Sequence, residues 1–223
     1  MPNPVNVVIP TKSIFTGLAE LLGDLSLDRA VGTICIVADG QTAFDALPDP
    51  PEHIITITVP EGVGIHYMWN RGIEAVGRDS HIAFLNDDVR LSPECLSSLA
   101  NSLDNDPSIG IVCPNYSTVE MEEDRQVFNT CGSRYDGTGG LAGFAMMLRS
   151  DLAKVYSFDE QLTWWYGDDD VLLWVTRTMG MHAVISHTAR CQHADSVTIR
   201  TDPPADFGRL VAEDREYFRA KWL

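Results

Sequence analysis

Strand-like and helix-like hydrophobic patterns alternate along the first half of the chain. Apolar runs bounded by Pro, Gly, Asp or Asn predict five strands, at "VNVVIPTK", "TICIVADG", "HIITITVP", "HIAFLND" and "IGIVCPNY". Apolar residues at helical spacing predict helices at "SIFTGLAELLGDL", "GIHYMWNRGIEAVG" and "SPECLSSLANSL". In the third helix, Ser92 is the expected cap and Pro93 the first helical residue. This order predicts an α/β fold in which helices flank a central, mostly parallel sheet.

The second half of the chain is more irregular. The stretch "STVEMEEDRQVFNTCGSRYDGTGG" is long, polar and typical of an excursion or hairpin. After it, "LAGFAMMLRSDLAKVY" predicts a strand and a short helix, and "HAVISH" predicts a short strand. A helix with an acidic N-terminus is predicted at "GDDDVLLWVTRTMG", ending at Gly180, and a closing helix at "RLVAEDREYFRAKW" after a mobile loop, "DSVTIRTDPPADFG". We expect a single domain over residues 1–223.

Composition narrows the class of ligand. The chain has 223 residues and 44% hydrophobic content, enough for one full core. Its formal net charge of −16 disfavours binding to nucleic acid or to anionic membranes through charge. A phosphorylated ligand would meet an unfavourable field, which a bound divalent cation would offset.

The number of cysteines and the hydropathy of the chain indicate a cellular compartment. The five cysteines are odd in number and form no CxxC pair, so we expect reduced, mostly buried thiols and a cytoplasmic location. A zinc site built on them is the minor alternative. The sequence shows neither a long apolar run nor a basic and then apolar N-terminus, so we expect no transmembrane segment or secretory signal.

Polar residues stand at the carboxyl ends of three predicted strands: Thr11, Asp39 and the trio Asn86, Asp87 and Asp88. In parallel α/β sheets these strand ends share one rim, where ligands bind. Carboxylate and amide oxygens there suit a hard divalent cation. The alternative is that Asp and Asn only end a strand and start a turn, and the acidic pair alone is more typical of that.

A second acidic group, Asp168, Asp169 and Asp170, begins a predicted helix. The helix dipole favours acids there, but three in succession repel one another and raise a pKa. Successive helical residues point about 100° apart, so at most two of the three face one cleft. The preceding "WWYG" fits either an aromatic wall for a sugar or core packing. His193, in "CQHADS", is either a metal ligand or a structural histidine.

Glycines also flank the second predicted helix, in "EGVGIHYMWNRGIEAVG". A helix N-terminus with nearby glycine favours phosphate. However, the spacing matches neither GxxxxGK[ST] nor GxGxxG, which argues against a P-loop nucleotidase and against a dinucleotide dehydrogenase.

In their order, these segments resemble the GT-A glycosyltransferases, most closely the inverting family 2, from about residue 5 to residue 196. The resemblance is carried by "VVIPTK", "IVADGQT", "GVGIHYMWNRGIEAVG", "FLNDDV", "GFAMMLRSDL", "FDEQLTWWYGDDDVLLWVTRTMG" and "HADS". It implies a GT-A, Rossmann-like nucleotide-diphospho-sugar transferase fold. The half to about residue 114 would bind the nucleotide sugar, and the half from about 115, with the C-terminal helix, would bind the acceptor.

The resemblance also implies roles at the metal and donor site. Asp88 matches the final acid of the family's DxD motif, which binds the metal, and His193 matches a later metal ligand. Asn86 matches the first DxD position, and Asp87 matches its middle position, which binds ribose or metal-bound water. Thr11 and Asp39, the remaining pair, match positions that hold the nucleoside.

The catalytic base is implied in the same way. Asp168 and Asp169 match the family's "ED" pair, whose second acid usually serves as base, so Asp169 is the first choice and Asp168 the second. The chain departs from the pattern at three positions. Val171 replaces an expected acid, Ala38 replaces a possible contact to the nucleobase, and Gly62 stands where Asn is frequent.

The implied activity is metal-dependent, inverting transfer of a sugar from a UDP-, GDP- or dTDP-linked donor to an acceptor hydroxyl, with Mn²⁺ or Mg²⁺. The acceptor remains open among a glycan, a lipid-linked sugar, a protein and a small molecule. One alternative is a sugar-phosphate nucleotidyltransferase, but "PTKSIFTGLAE" provides little of the Gly-rich basic loop expected there. The other is a non-catalytic carbohydrate-binding relative, which loss of Asp88 or of the "DDD" run would have favoured; neither is lost.

Overall fold

Strands and helices alternate through the computed structural model, which describes residues 3–12, 16–40, 52–130, 140–194, 203 and 206–223. The strands are β1 Val5–Thr11, β2 Val31–Asp39, β3 Ile54–Val59, β4 His81–Leu85, β5 Val89–Leu91, β6 Ile109–Asn115, β7 Arg125–Val127, β8 Ala145–Leu148 and β9 His182–His193. The helices are α1 Thr16–Ser26, α2 Ile65–Val76, α3 Cys95–Asn105, α4 Ser150–Ala153, α5 Gly167–Leu173 and α6 Phe207–Trp222, with a π-helical turn at Trp174–Thr178 directly after α5.

The strands form one sheet in the order β3-β2-β1-β4-β8-β6-β9-β5, and β7 also pairs with β9. Among the described residues the six longest strands point the same way, which confirms the expected mostly parallel α/β sheet. The three short strands, β5, β7 and β8, run against their neighbours. Strand β8 comes from the second half of the chain but lies between β4 and β6, so the two halves share one sheet.

Both faces of the sheet are covered. Along β1, Val8 belongs to the hydrophobic cluster that contains residues of α2 and α5, whereas Val7 and Ile9 belong to the cluster that contains residues of α1 and α3. This alternation follows from the period of two along a strand. Helix α2 lies close to β1 because Gly72 packs against the Val8 side chain, where a Cβ atom would have no room.

The start of α3 differs from the prediction. The helix begins at Cys95 rather than Pro93, with Glu94 in the left-handed region at φ 55°. Its first amides are capped by a residue that is distant in the sequence. The Asp28 carboxylate accepts hydrogen bonds from the Leu96 N–H (2.8 Å) and the Ser97 N–H (3.1 Å). Ser92 therefore does not cap the helix; its carbonyl accepts a bond from the Cys95 N–H instead.

Strand β9 is also longer than predicted. The apolar "HAVISH" segment is only its first half, and the polar residues up to His193 continue the strand because they pair with β5. Helix α5 and the following π-helical turn end where predicted, with Gly180 at φ 67°. The predicted loop "DSVTIRTDPPADFG" lies largely outside the described residues.

Two further expectations concern the burial of the cysteines and the hydropathy of the helices. Cys35, Cys95, Cys113 and Cys191 are buried thiols, as predicted, and Cys131 lies outside the described residues. Within the described part of the chain, no helix is both long enough and apolar enough to span a membrane.

Candidate active site

The ends of β1, β2 and β4 bring the first group of predicted residues together. These three strands are neighbours in the sheet, and Thr11 is the register partner of Ala38. The Thr11 hydroxyl donates a hydrogen bond of 2.6 Å to Asp87 Oδ2, and both side chains are buried. Burial raises the pKa of Asp87 to about 7; the Thr11 bond opposes that rise and the Asp88 charge adds to it.

Asp39, at the end of β2, holds the loop that enters α2. Its Oδ1 accepts a hydrogen bond of 2.7 Å from the Gly62 N–H. Burial raises the pKa of Asp39, and that hydrogen bond opposes the rise. Gly62 has φ 79°, a conformation that Gly adopts freely and Asn tolerates better than most residues. The backbone conformation thus accounts for Gly at a position where the family that the sequence resembles often has Asn.

The acidic motif forms a turn and places Asp88 against His193. Asn86, Asp87 and Asp88 form the tight connection between β4 and β5, and the partly exposed Asn86 donates its N–H to the Phe144 carbonyl at 2.8 Å. Strand β5 then pairs with β9 so that Val89 faces His193. The neighbouring Asp88 consequently meets the histidine, with 3.0 Å between Asp88 Oδ1 and His193 Nε2.

The His193 ring is held in place by an aromatic neighbour. It stacks on Phe144, with 4.2 Å between ring centroids and 5° between planes. Tyr116 packs edge-on against the Phe144 ring, and its hydroxyl forms hydrogen bonds with the backbone of Gly140. Only 13% of the His193 side chain and 5% of the Asp88 side chain are exposed, so the facing pair is nearly dry.

This pair suits a divalent cation as part of a larger ligand set. A carboxylate oxygen and an imidazole nitrogen are both ordinary ligands of Mn²⁺, and Mg²⁺ sites often use few protein ligands and complete the shell with phosphate oxygens and water. Across the described residues, no group of three or more His, Cys, Asp or Glu side chains is placed to hold a metal. A cation held by Asp88 and His193 would complete its shell with water or with phosphate oxygens of a ligand.

The three acids of the second group, at the start of α5, have different partners. Asp168 packs against Gly143, where a Cβ atom would have no room, and Asp169 Oδ1 accepts a hydrogen bond of 2.9 Å from the Thr130 hydroxyl. Asp170 is 2% exposed and points elsewhere. Its oxygens bind Tyr156 OH at 3.1 Å, Trp222 Nε1 at 2.7 Å and Lys221 Nζ at 2.7 Å. Asp170 therefore binds the core and α6, apart from the contacts that Asp168 and Asp169 make.

The Asp168–Asp169 pair holds protons more tightly than ordinary carboxyl groups. Burial, together with the charge of Asp169, raises the pKa of Asp168 to about 7. Burial also raises the pKa of Asp169, and the Thr130 hydrogen bond opposes that rise. A carboxylate with a raised pKa is suited to accepting a proton near neutral pH.

Two consecutive residues join the two groups. Gly143 lies against Asp168, and the ring of Phe144 lies against His193. Consecutive Cα atoms are about 3.8 Å apart, so one short segment contacts both the carboxylate pair and the Asp88–His193 pair. Sequence reasoning did not identify Gly143, Phe144 or Thr130 as site residues, because the first two stand in an apolar run and the third in a polar stretch without a motif.

The other two departures from the family pattern, Val171 and Ala38, are buried residues. Val171, where the resembling family has an acid, is a core residue with 1% exposure. Ala38 is fully buried within β2. Of the aromatic segment, Tyr166 stacks on Phe218 of α6, so this ring is packed against the closing helix, whereas Trp165 remains 40% exposed.

Comparisons with known proteins agree with this architecture. The GT-A fold is shared with a crystal structure of GalNAc-T7 with UDP, GalNAc and Mn²⁺ (TM-score 0.65, 12% identity, 86% of this chain covered). It is also shared with the structure of S. aureus TarS 1–349 (TM-score 0.61, 14% identity, 95% of this chain covered). The chain spans 44% of the GalNAc-T7 chain and 70% of the TarS chain.

Sequence comparison identifies the family directly. No curated protein sequence matches the chain. The family model described as "Glycosyl transferase family 2", however, matches residues 7–156, more than half of the chain, including Thr11, Asp39 and the acidic turn. The chain belongs to glycosyl transferase family 2.

Proposed function

We propose that this chain is a metal-dependent, inverting glycosyltransferase that moves a sugar from a nucleotide diphosphate donor to an acceptor hydroxyl. The observation that carries the proposal is that Gly143 and Phe144, adjacent residues of one segment, contact the two groups of candidate residues. A carboxylate–imidazole pair suited to a cation lies on one side, and a carboxylate pair with raised pKa lies on the other. Donor activation and proton removal must occur within a few ångströms in such a reaction.

In the proposed site, the donor lies along the rim formed by β1, β2 and β4. Thr11 and Asp39 border the nucleoside, and Asp87, buried against Thr11, contacts the ribose or metal-bound water. Asn86 takes the first DxD position with an amide in place of an acid. GalNAc-T7, which shares the fold, was crystallised with UDP and Mn²⁺, a ligand set of the proposed kind.

Asp88 and His193 would hold Mn²⁺ or Mg²⁺ against the diphosphate. When bound, the cation offsets the negative charge that grows on the leaving diphosphate. The fixed pairing of β5 with β9 and the stacked Phe144 ring keep both side chains in register for this role. A chain with a net charge of −16 has particular need of such a cation before it binds an anionic donor.

Asp169 is the proposed base and Asp168 the second choice. The carboxylate takes the proton of the acceptor hydroxyl as its oxygen bonds to the anomeric carbon, and the bond from that carbon to the diphosphate breaks. Attack on the face opposite the leaving group inverts the anomeric configuration. Thr130 orients Asp169 by donating to Oδ1, which favours Asp169 over Asp168.

The proposal is tested by two measurements on the same protein. Calorimetry with UDP, GDP and dTDP, with and without Mn²⁺, should detect metal-dependent binding that Asp88→Asn weakens. Transfer assays across nucleotide sugars should then show that Asp169→Asn keeps nucleotide affinity and lowers kcat by about 10²- to 10⁴-fold. Asp168→Asn is the matched variant, and a greater loss there would exchange the two roles.

Three results would contradict parts of the proposal. Full transfer by Asp169→Asn together with full transfer by Asp168→Asn would exclude this pair as the base. Unchanged activity in excess chelator would exclude the metal. Formation of a nucleotide sugar and pyrophosphate from a sugar phosphate and a nucleoside triphosphate, without sugar transfer, would identify a nucleotidyltransferase instead.

A further inference from the structure

Helix α6 lies beyond residues 7–156, yet it contacts the segment that leads into the candidate base pair. Asp214, in the middle of α6, is 2% exposed. Its carboxylate accepts three successive backbone N–H groups, from Thr163 at 2.9 Å, Trp164 at 2.8 Å and Trp165 at 2.9 Å. Hydrogen bonds to a charged acceptor are about twice as strong as neutral ones, so this arrangement fixes the backbone just before α5.

Further contacts from α6 fix the start of α5. The Phe218 ring stacks on Tyr166 at 5.1 Å, and Tyr166 has the left-handed φ of 67° at which the chain turns into the helix. Near the end of α6, Lys221 and Trp222 bind the buried Asp170 carboxylate. The candidate pair Asp168 and Asp169 therefore lies between two points of attachment to α6.

The opposite side of this segment packs closely against His66 of α2. Gly167 packs against the His66 ring, where a Cβ atom would overlap it. His66 is itself fixed, since its Nδ1 lies 2.5 Å from the Leu162 carbonyl oxygen. Residues 163–167 are therefore packed between α6 and His66, and this packed segment ends next to Asp168 and Asp169.

We propose that Asp214 is a positioning residue, which holds residues 163–165 so that the carboxylate of Asp169 is aligned with the acceptor hydroxyl. The inference rests on the proposed function for the role of Asp169. It assigns to α6 a part in the chemical step, although no residue of α6 is placed at the reacting atoms. In the proposed function the donor lies along the rim of β1, β2 and β4, whereas Asp214 binds the backbone of residues 163–165, so the main effect should fall on kcat.

The test compares Asp214→Asn with Asp28→Asn. Both replace a buried aspartate that accepts backbone N–H groups, but Asp28 caps α3, away from the candidate base pair. An asparagine offers one acceptor oxygen and turns an NH₂ group toward the remaining amides, so both variants should lose stability. Only Asp214→Asn should lower kcat, by about 10- to 100-fold, with donor KM and nucleotide Kd within twofold of wild type.

Hydrogen exchange provides a readout that does not depend on transfer activity. Amides of residues 163–170 should exchange faster in Asp214→Asn than in wild type, and at the wild-type rate in Asp28→Asn. If the wild-type protein transfers no sugar, the proposed function fails, whereas unchanged exchange at 163–170 overturns the positioning inference alone. Wild-type kcat in Asp214→Asn, or an equal loss of kcat in Asp28→Asn, also overturns it.

A milder variant serves if Asp214→Asn does not fold. Trp222→Phe keeps an aromatic ring at this position and removes the indole N–H that binds Asp170, together with part of the ring surface. It should raise exchange at residues 167–170 and lower kcat in the same direction by a smaller factor, with donor KM unchanged. Wild-type kcat and exchange in a folded Trp222→Phe would overturn the role assigned to α6.

Discussion

Asp168 and Asp169 stand where burial and mutual repulsion favour a bound proton. An unfolded Asp titrates at about 3.9, whereas the pKa of Asp168 in the folded chain is raised to about 7. Between these values the folded state binds more protons than the unfolded state. Stability conferred by this group is therefore greatest at low pH and is lost as the pH rises through about 7. A buried carboxyl group with a raised pKa thus lowers the stability of the protein at neutral and higher pH.

Removing that charge should stabilise the fold while it impairs the site. We expect Asp168→Asn to raise Tm at pH 8 by roughly 2–4 °C for each kcal/mol recovered. The gain should be smaller at pH 5, because Asp168 is already protonated in the folded wild type. Asp79→Asn is the control, since its side chain is 99% exposed and should show no difference between the two pH values. An equal gain at both pH values for Asp168→Asn would contradict a raised pKa.

The residues that carry the proposed chemistry were found from the order of motifs along the chain, and those that orient them were not found. Taken singly, Asp88, Asp169 and His193 also fit a turn, a helix N-terminus and a structural histidine, and only the ordered resemblance to a family singled them out. Thr130 lies 39 residues from its partner Asp169 in the sequence, and Phe144 belongs to an apolar run. Their roles arise from tertiary contacts, which leave no periodic signal.

At the level of helices and strands, periodicity predicted the elements whose stability comes from a buried face. Strands β1 to β4 and helices α1 and α2 are of this kind. It failed where a distant residue determines the boundary. Asp28 caps α3 from another part of the chain, and pairing with β5 extends β9 through polar residues. Neither partner can be identified from the local sequence.

Two helix glycines allow an element-level test of packing. In α2, Gly72 faces the Val8 side chain, where an added Cβ would overlap it; in α1, Gly23 has no heavy atom within 4 Å of an added Cβ. We expect Gly72→Ala to lower the free energy of unfolding by about 1–3 kcal/mol through overpacking. Gly23→Ala should raise it by about 0.5–1 kcal/mol, since Ala loses less entropy in a helix. Denaturant titration of both variants measures the difference, and a stabilising Gly72→Ala would refute the close approach of α2 to β1.

For the molecule as a whole, charge is the dominant long-range property. A net charge of −16 and a rim that carries Asp39, Asp87 and Asp88 together oppose an anionic donor. The opposition acts over the Debye length, which is about 30 Å at 0.01 M salt and about 8 Å at 0.15 M. A cation at Asp88 and His193 changes the charge only locally. The association rate of the proposed donor should therefore depend on the charge of the whole molecule, and its dissociation rate on close contacts in the site.

This separation predicts an unusual salt dependence. We expect the association rate of a fluorescent nucleoside diphosphate, measured by stopped flow with saturating Mn²⁺, to rise several-fold between 10 and 150 mM NaCl, because salt screens the repulsion. The corresponding uncharged nucleoside is the control and should associate at a rate independent of salt. Metal-dependent affinity should rise by about the same factor as the association rate, because Kd is the ratio of the dissociation rate to the association rate and dissociation depends on close contacts at the rim. An association rate that falls with salt would show instead that local positive charge, such as Lys12 next to Thr11, outweighs the acidic surface.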